Sequence, residues 1–147
     1  MALNKAYNQY QQTSVNTSSP EELTLMLYNG LIKYILLAIH AVDEKDIEKT
    51  NTNIIRAQDI ILEFQGTLDM KYPVAQNMMA LYDYMYSRLI EANLKKDKAM
   101  LEEVLGFAKE FRDTWTQAMK LAKHQAHNPV PNEAQNTAPG AAFVAAK

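Results

Sequence analysis

The sequence contains no cysteine. That excludes disulfide frameworks, thiolate metal sites and cysteine nucleophiles together, and it suits a reducing compartment. Glycine and proline are scarce, four and five in 147 residues, so the chain has few breaks and most of them mark edges. No sign of charge dominates. A formal net charge of −2 offers no basic field for nucleic acid or anionic membrane, and the densest basic run is only Lys95-Lys96. Gly-rich phosphate loops and nucleophile motifs are missing as well. None of His40, His124 and His127 has a glutamate three residues before it, so the Glu-x-x-His pairs of a di-metal bundle are lacking. His124 and His127 read as complements to the negative end of a helix dipole, and the surroundings of His40 do not fit a phosphotransfer histidine. No catalytic residue, metal site or cofactor is expected.

A signal peptide is not expected either, because Met1 to Ser19 is polar and lacks an apolar core. The best candidate for a membrane span is Leu23 to Val42, which carries Asn29, Gly30, Lys33 and His40. A lysine at mid-membrane costs roughly 2.5–3.5 kcal/mol on insertion scales. No membrane insertion and a cytoplasmic location are therefore expected. What is present is 48% hydrophobic and 22% charged, a balance that supports one folded domain with a real core.

Helix punctuation organises that domain. Ser19-Pro20-Glu21-Glu22 reads as a start, with Ser19 as N-cap, Pro20 at the first helical position and Glu22 closing a capping box. This helix ends near Asp43 to Asp46. A second runs from Ile47 to about Leu68, a third from Pro73 to about Leu94, and Asp97 caps a fourth that reaches about Gln125. Nothing alternates with period two over a useful length, so no strand is expected. Short connections between long helices force antiparallel neighbours. The expectation is an all-α, antiparallel up-down-up-down four-helix bundle over residues 19–126, with an N-terminal arm over 1–18 and a disordered tail over 127–147.

Helical wheels show more apolar surface than such a bundle uses. The fourth helix has one stripe: Leu101, Val104, Leu105, Ala108, Phe111, Trp115, Ala118 and Ala122. The first has two rows, one of Leu23, Leu27, Leu31, Tyr34, Ala38 and Ala41, the other of Leu25, Ile32, Leu36 and Ile39. So does the third, with Val74, Met78, Leu81, Met85 and Leu89 beside Met79, Tyr82, Tyr86 and Ile90. Excess arc of that kind marks an interface. On the second helix Asn51, Gln58 and Gln65 repeat every seven residues, flanked by Ile47, Ile54, Ile61 and by Ile55, Leu62. These amides could meet a partner's backbone, or could sit in the bundle seam and fix its register; both readings stay open. In the arm, Tyr7, Tyr10 and Val15 are the only large apolar residues between Asn4 and Thr17, and the excess surface is where they would pack. Two functions fit: a binding protein for another polypeptide, or a bundle enzyme using a small molecule, metal or phosphotransfer. The missing ligands and the surplus apolar arc favour binding.

Several segments resemble a known family. Pro20-Glu21-Glu22-Leu23-Thr24-Leu25-Met26-Leu27-Tyr28-Asn29-Gly30 is similar to the first-helix signature of the flagellar secretion chaperones, FliS. Leu81-Tyr82-Asp83-Tyr84-Met85, Ala92-Asn93 followed by Asp97, and Phe111-Arg112-Asp113-Thr114-Trp115 recur in order, and the arm resembles the family's N-terminus. The resemblance spans about residues 4–120. It implies a cytosolic chaperone that binds the disordered C-terminal segment of flagellin, prevents premature polymerisation and assists delivery to the flagellar type III export apparatus, whose components would be further partners. It also implies an arm that covers part of the binding surface when flagellin is absent. The residues expected to meet the partner are Tyr7, Tyr10, Val15, Asn51, Ile54, Ile55, Gln58, Met79, Tyr82 and Tyr86.

Overall fold

Each helix begins where a side chain can take over the first free amides. In the computed structural model, which describes residues 19–127, Ser19 accepts a hydrogen bond from the Glu22 N–H at 3.2 Å and starts α1, Pro20–Asp43. Asp46 accepts from Lys49 N–H at 3.0 Å and starts α2, Ile47–Thr67. α3, Ala75–Lys95, has no side-chain cap: residues 70–74 form turns, so Pro73 precedes the helix instead of opening it. Asp97 accepts from Ala99 and Met100 and starts α4, Lys98–His127, two residues longer than expected. Among the described residues there is no strand. The expected arm and tail lie outside the described residues.

Cross-links between helices fix their directions. Lys98 Nζ meets Asp43 Oδ2 at 3.1 Å, and Trp115 Nε1 donates to the Glu21 carbonyl at 3.0 Å, so α1 and α4 run antiparallel. Asn93 Nδ2 donates to Asn51 Oδ1 at 2.7 Å and Gln65 Nε2 to Asp83 Oδ1 at 2.6 Å, which makes α2 and α3 antiparallel too. α1 packs broadly on α2 and α4; α3 packs on the same two neighbours less extensively. Gly30 belongs to the close α1–α2 approach, since a Cβ there would meet Ile60 Cδ1 at 3.3 Å.

α1 is long and apolar enough to cross a membrane, with a mean hydropathy of 1.6 over its most apolar stretch. Here its apolar side chains form the bundle core instead: Leu31, Ile35 and Ala38 are fully buried, and Leu25, Leu27, Tyr34 and Ile39 pack against them. Two neighbours, not one, cover most of the two apolar rows of α1, while Leu36 remains 47% exposed. The buried polar side chains Thr24, Thr50 and Asn53 each donate to the carbonyl four residues back, at 2.8–3.1 Å, so none is left unsatisfied.

One aromatic residue from each helix meets in a layer. Tyr28 of α1 stacks on Phe64 of α2 at 4.5 Å, and Tyr82 of α3 lies 5.6 Å from Phe64 and 5.3 Å from Phe111 of α4. Within it the Tyr28 and Tyr82 hydroxyls are hydrogen-bonded to each other at 3.2 Å, away from water. Burial raises both phenol pKa values above their ordinary range; the shared hydrogen bond works against burial at Tyr28 and with it at Tyr82. A raised folded-state pKa means that the unfolded chain releases these protons first, so the stability is fully present below about pH 10 and drains away above it. Chemical denaturation midpoints are expected to hold to about pH 9 and fall beyond pH 10. The double variant Tyr28→Phe/Tyr82→Phe should fall less steeply; an equal slope would show that other groups govern alkaline unfolding.

A groove between the second and third helices as candidate binding site

Spacing on α2 and α3 builds two facing rows. Asn51, Ile55, Gln58, Leu62 and Gln65 succeed one another by four and three residues along α2, and Met79, Asp83, Tyr86, Ile90 and Asn93 do the same along α3. Such steps keep side chains on one helical face. Because the helices are antiparallel, Asn51 bonds Asn93 at one end and Gln65 bonds Asp83 at the other. Gln58 lies midway, half-buried, and makes no hydrogen bond to another described residue. Asn51 and Gln65 are thus each engaged with α3 at exposed contacts, while Gln58 has no such partner among the described residues.

Between the helices lies an open groove of about 730 Å³, lined by Ile47, Asn51, Gln58, Ile90, Asn93 and Leu94 among others. Its surroundings are apolar and wet: Ile47 is 69% exposed, Leu94 80%, and Ile55, Leu62 and Ile90 between 41% and 47%. Side chains of this size are seldom left in water as a group without a partner.

The opposite flank of α3 is closed. Arg88 Nε donates to Glu103 Oε1 at 2.7 Å, the Tyr84 hydroxyl donates to the same carboxylate at 3.0 Å, and the Tyr84 ring meets Phe107 edge-on at 6.1 Å. Hydrogen bonds first from Arg88 and then from Tyr84 hold the Glu103 carboxyl below its usual range, and the bond to Glu103 raises the Tyr84 phenol. Polar ties span the α3–α4 seam, and the α2–α3 seam is left open toward the start of α2 and the end of α3.

Of the residues expected to meet a partner, Asn51, Ile55, Gln58, Met79 and Tyr86 fall on the two facing rows, Met79 and Tyr86 half-buried. Ile54 and Tyr82 do not reach the surface. Ile54 is 0% exposed because it belongs to the buried stripe of α2 with Thr50, Ala57, Ile61 and Phe64, and Tyr82, 2% exposed, is in the aromatic layer. Tyr7, Tyr10 and Val15 lie outside the described residues. Sequence reasoning left out Ile47, Asp83, Asn93 and Leu94, although the four-and-three spacing from Met79 to Asn93 marks two of them. No group of three or more histidine and carboxylate side chains able to hold a metal occurs among the described residues.

Known proteins resemble this chain over most of its length. Residues 3–122 match the family described as flagellar protein FliS. The flagellar secretion chaperone FliS of Bacillus subtilis is 49% identical over 127 residues, which is 86% of this chain and 96% of the relative. The chaperones of the same name from Campylobacter jejuni and Salmonella typhimurium are 32% and 31% identical, over 78% and 82% of this chain and 91% and 93% of their own lengths. Coverage of this extent, on a helical bundle with the order of elements described above, shows that the chain belongs to the FliS family of flagellar proteins.

Proposed function

We propose that this protein is a cytoplasmic export chaperone that holds the C-terminal segment of flagellin along the α2–α3 groove and hands it to the flagellar export apparatus. It binds and does not catalyse. The observation that carries this reading is the groove itself: exposed isoleucines and leucines on both sides, set among polar side chains, with the Gln58 amide making no hydrogen bond to another described residue. An extended or helical segment laid there covers the exposed isoleucines and leucines and leaves one of its backbone groups for Gln58. The likeness to the flagellar secretion chaperones supports a secreted flagellar protein as the partner, and the C-terminal segment of flagellin is the reading proposed here. A shallow groove of this form suits a partner that is disordered when free and orders on binding.

The arm fits the same scheme. Eleven residues separate Tyr7 from Ser19, a reach of up to about 40 Å. The bundle is about 30 Å long at 1.5 Å per residue for its 21-residue helices. Tyr7 can therefore reach the groove until flagellin displaces it, with Tyr10 along the way and Val15, four residues from Ser19, near the start of α1.

Calorimetric titration with a flagellin C-terminal peptide tests this reading. A negative heat-capacity change and weak salt dependence are expected, as apolar burial dictates; steep salt dependence or no binding would overturn it. Gln58→Leu is expected to weaken that binding about tenfold, the worth of one buried hydrogen bond, with the thermal midpoint unchanged or raised. A shifted midpoint with intact binding would return Gln58 to a structural role.

A further inference from the structure

At the far end of the bundle from the groove, where α1 begins and α4 finishes, lies a second apolar pocket of about 270 Å³. Ser19, Glu21 and Glu22 form its edge from α1, and Trp115, Met119 and Ala122 line it from α4. Trp115 is held in place by its bond to the Glu21 carbonyl, so the pocket has a fixed aromatic wall.

We propose that this pocket receives the C-terminal tail of the same chain, with Phe143 and Val144 as the anchoring residues. Two arguments point to the tail. The first is composition: beyond His127 the sequence is Asn, Pro, Ala, Gln and Gly with few large apolar residues, yet Phe143 and Val144 stand side by side. A segment that stays in water has no use for the pair. The second is reach. Residues 128–142 separate His127 from Phe143, a span of up to about 50 Å, while Ala122 lies only about 7–8 Å back along the helix from His127. Tethered so closely, the pair is present at the pocket at high effective concentration.

The family match stops at residue 122, so the tail is an addition that flagellin binding at the α2–α3 groove does not account for. Seated in the pocket, it ties the start of α1 to the end of α4 and shuts this face of the bundle to other apolar segments. The proposal does not depend on the identity of the partner at the groove.

Two measurements on the full-length chain test it. Trp115 is the one tryptophan of the sequence and forms a wall of this pocket, so its emission maximum reports on what is seated there. Nuclear Overhauser contacts from the Met119 methyl group show which ring lies against it. A contact from Met119 to the Phe143 ring is expected in the full chain, together with its loss and a red-shifted Trp115 emission in Phe143→Ser. Ala122→Glu, at the exposed rim, should have the same two effects without unfolding the bundle. A Met119 contact to Tyr7 or Tyr10 would give the pocket to the N-terminal arm, and contacts that grow with protein concentration would give it to a second copy. Either result, or the absence of any aromatic contact beyond the bundle's own, overturns the proposal.

Discussion

Replacing Ile55 by aspartate should weaken binding of a flagellin C-terminal peptide at least about thirty-fold, the effect of losing one interfacial anchor of about 2 kcal/mol. Ile55 lies between Asn51 and Gln58 on the α2 row and is 43% exposed, so the bundle does not need it for its core. Substitutions at such positions usually change stability by no more than about 0.5 kcal/mol. Binding and folding thus separate at this residue. Ile90→Asp, across the groove on α3, is expected to act in the same direction, and the pair should come close to abolishing binding. Leu121→Asp supplies the control, because Leu121 is equally exposed, at 49%, but belongs to α4. If Leu121→Asp weakens the complex as much as Ile55→Asp, the α2–α3 groove is not the place where the peptide lies.

The largest loss of stability is expected from Phe64→Ala. Phe64 touches both tyrosines of the aromatic layer, at 4.5 and 5.6 Å, and is 5% exposed. Truncating a buried phenylalanine costs about 3–5 kcal/mol through lost transfer energy and the cavity left behind. Against a total of about 5–15 kcal/mol for a domain of ordinary stability, that loss leaves a bundle close to its unfolding threshold. The cavity would also loosen the packing on either side of the tyrosine hydroxyl pair. Thermal unfolding followed by circular dichroism reads the effect. A midpoint lowered by only one or two degrees would mean that the layer contributes little.

Local signals carried most of the fold. Ser19-Pro20-Glu21-Glu22 and Asp97 start their helices as capping chemistry requires, because an N-cap is decided within four residues of chain. The single stripe of α4 was equally legible, with Leu101, Val104 and Ala108 fully buried. The wheel failed where a helix has more than one neighbour. It gave α1 a surplus row, and α1, lying between α2 and α4, buries most of both rows but leaves Leu36 and Leu37 exposed. Nor could it tell Ile54 from Ile55, or Tyr82 from Tyr86, since adjacent rows differ only in which packs inward once four helices have met. Ile47, Ile54 and Ile61 share one row, but Ile47 is 69% exposed at the tip of α2 while the other two are fully buried. Row membership was visible in the sequence, and depth was not. The pairing of Asn51 with Asn93 was beyond reach for the same reason, since it joins residues 42 positions apart.

The placement of α1 at the junction of two partners also sets an order of events during synthesis. Its strongly apolar residues leave the ribosome before either helix that covers them. α2 follows at once, through the turn at residues 44–46, and a two-helix hairpin can shield one side. The other side waits for α4, whose last residue is 84 positions beyond Asp43, a delay of roughly 4–17 s at about 5–20 residues per second. Throughout that interval the nascent chain presents a stretch apolar enough to be mistaken for a membrane segment. Lys33, Asn29 and His40 then act on the newborn chain, making insertion unfavourable for a helix whose proper cover has not yet been made.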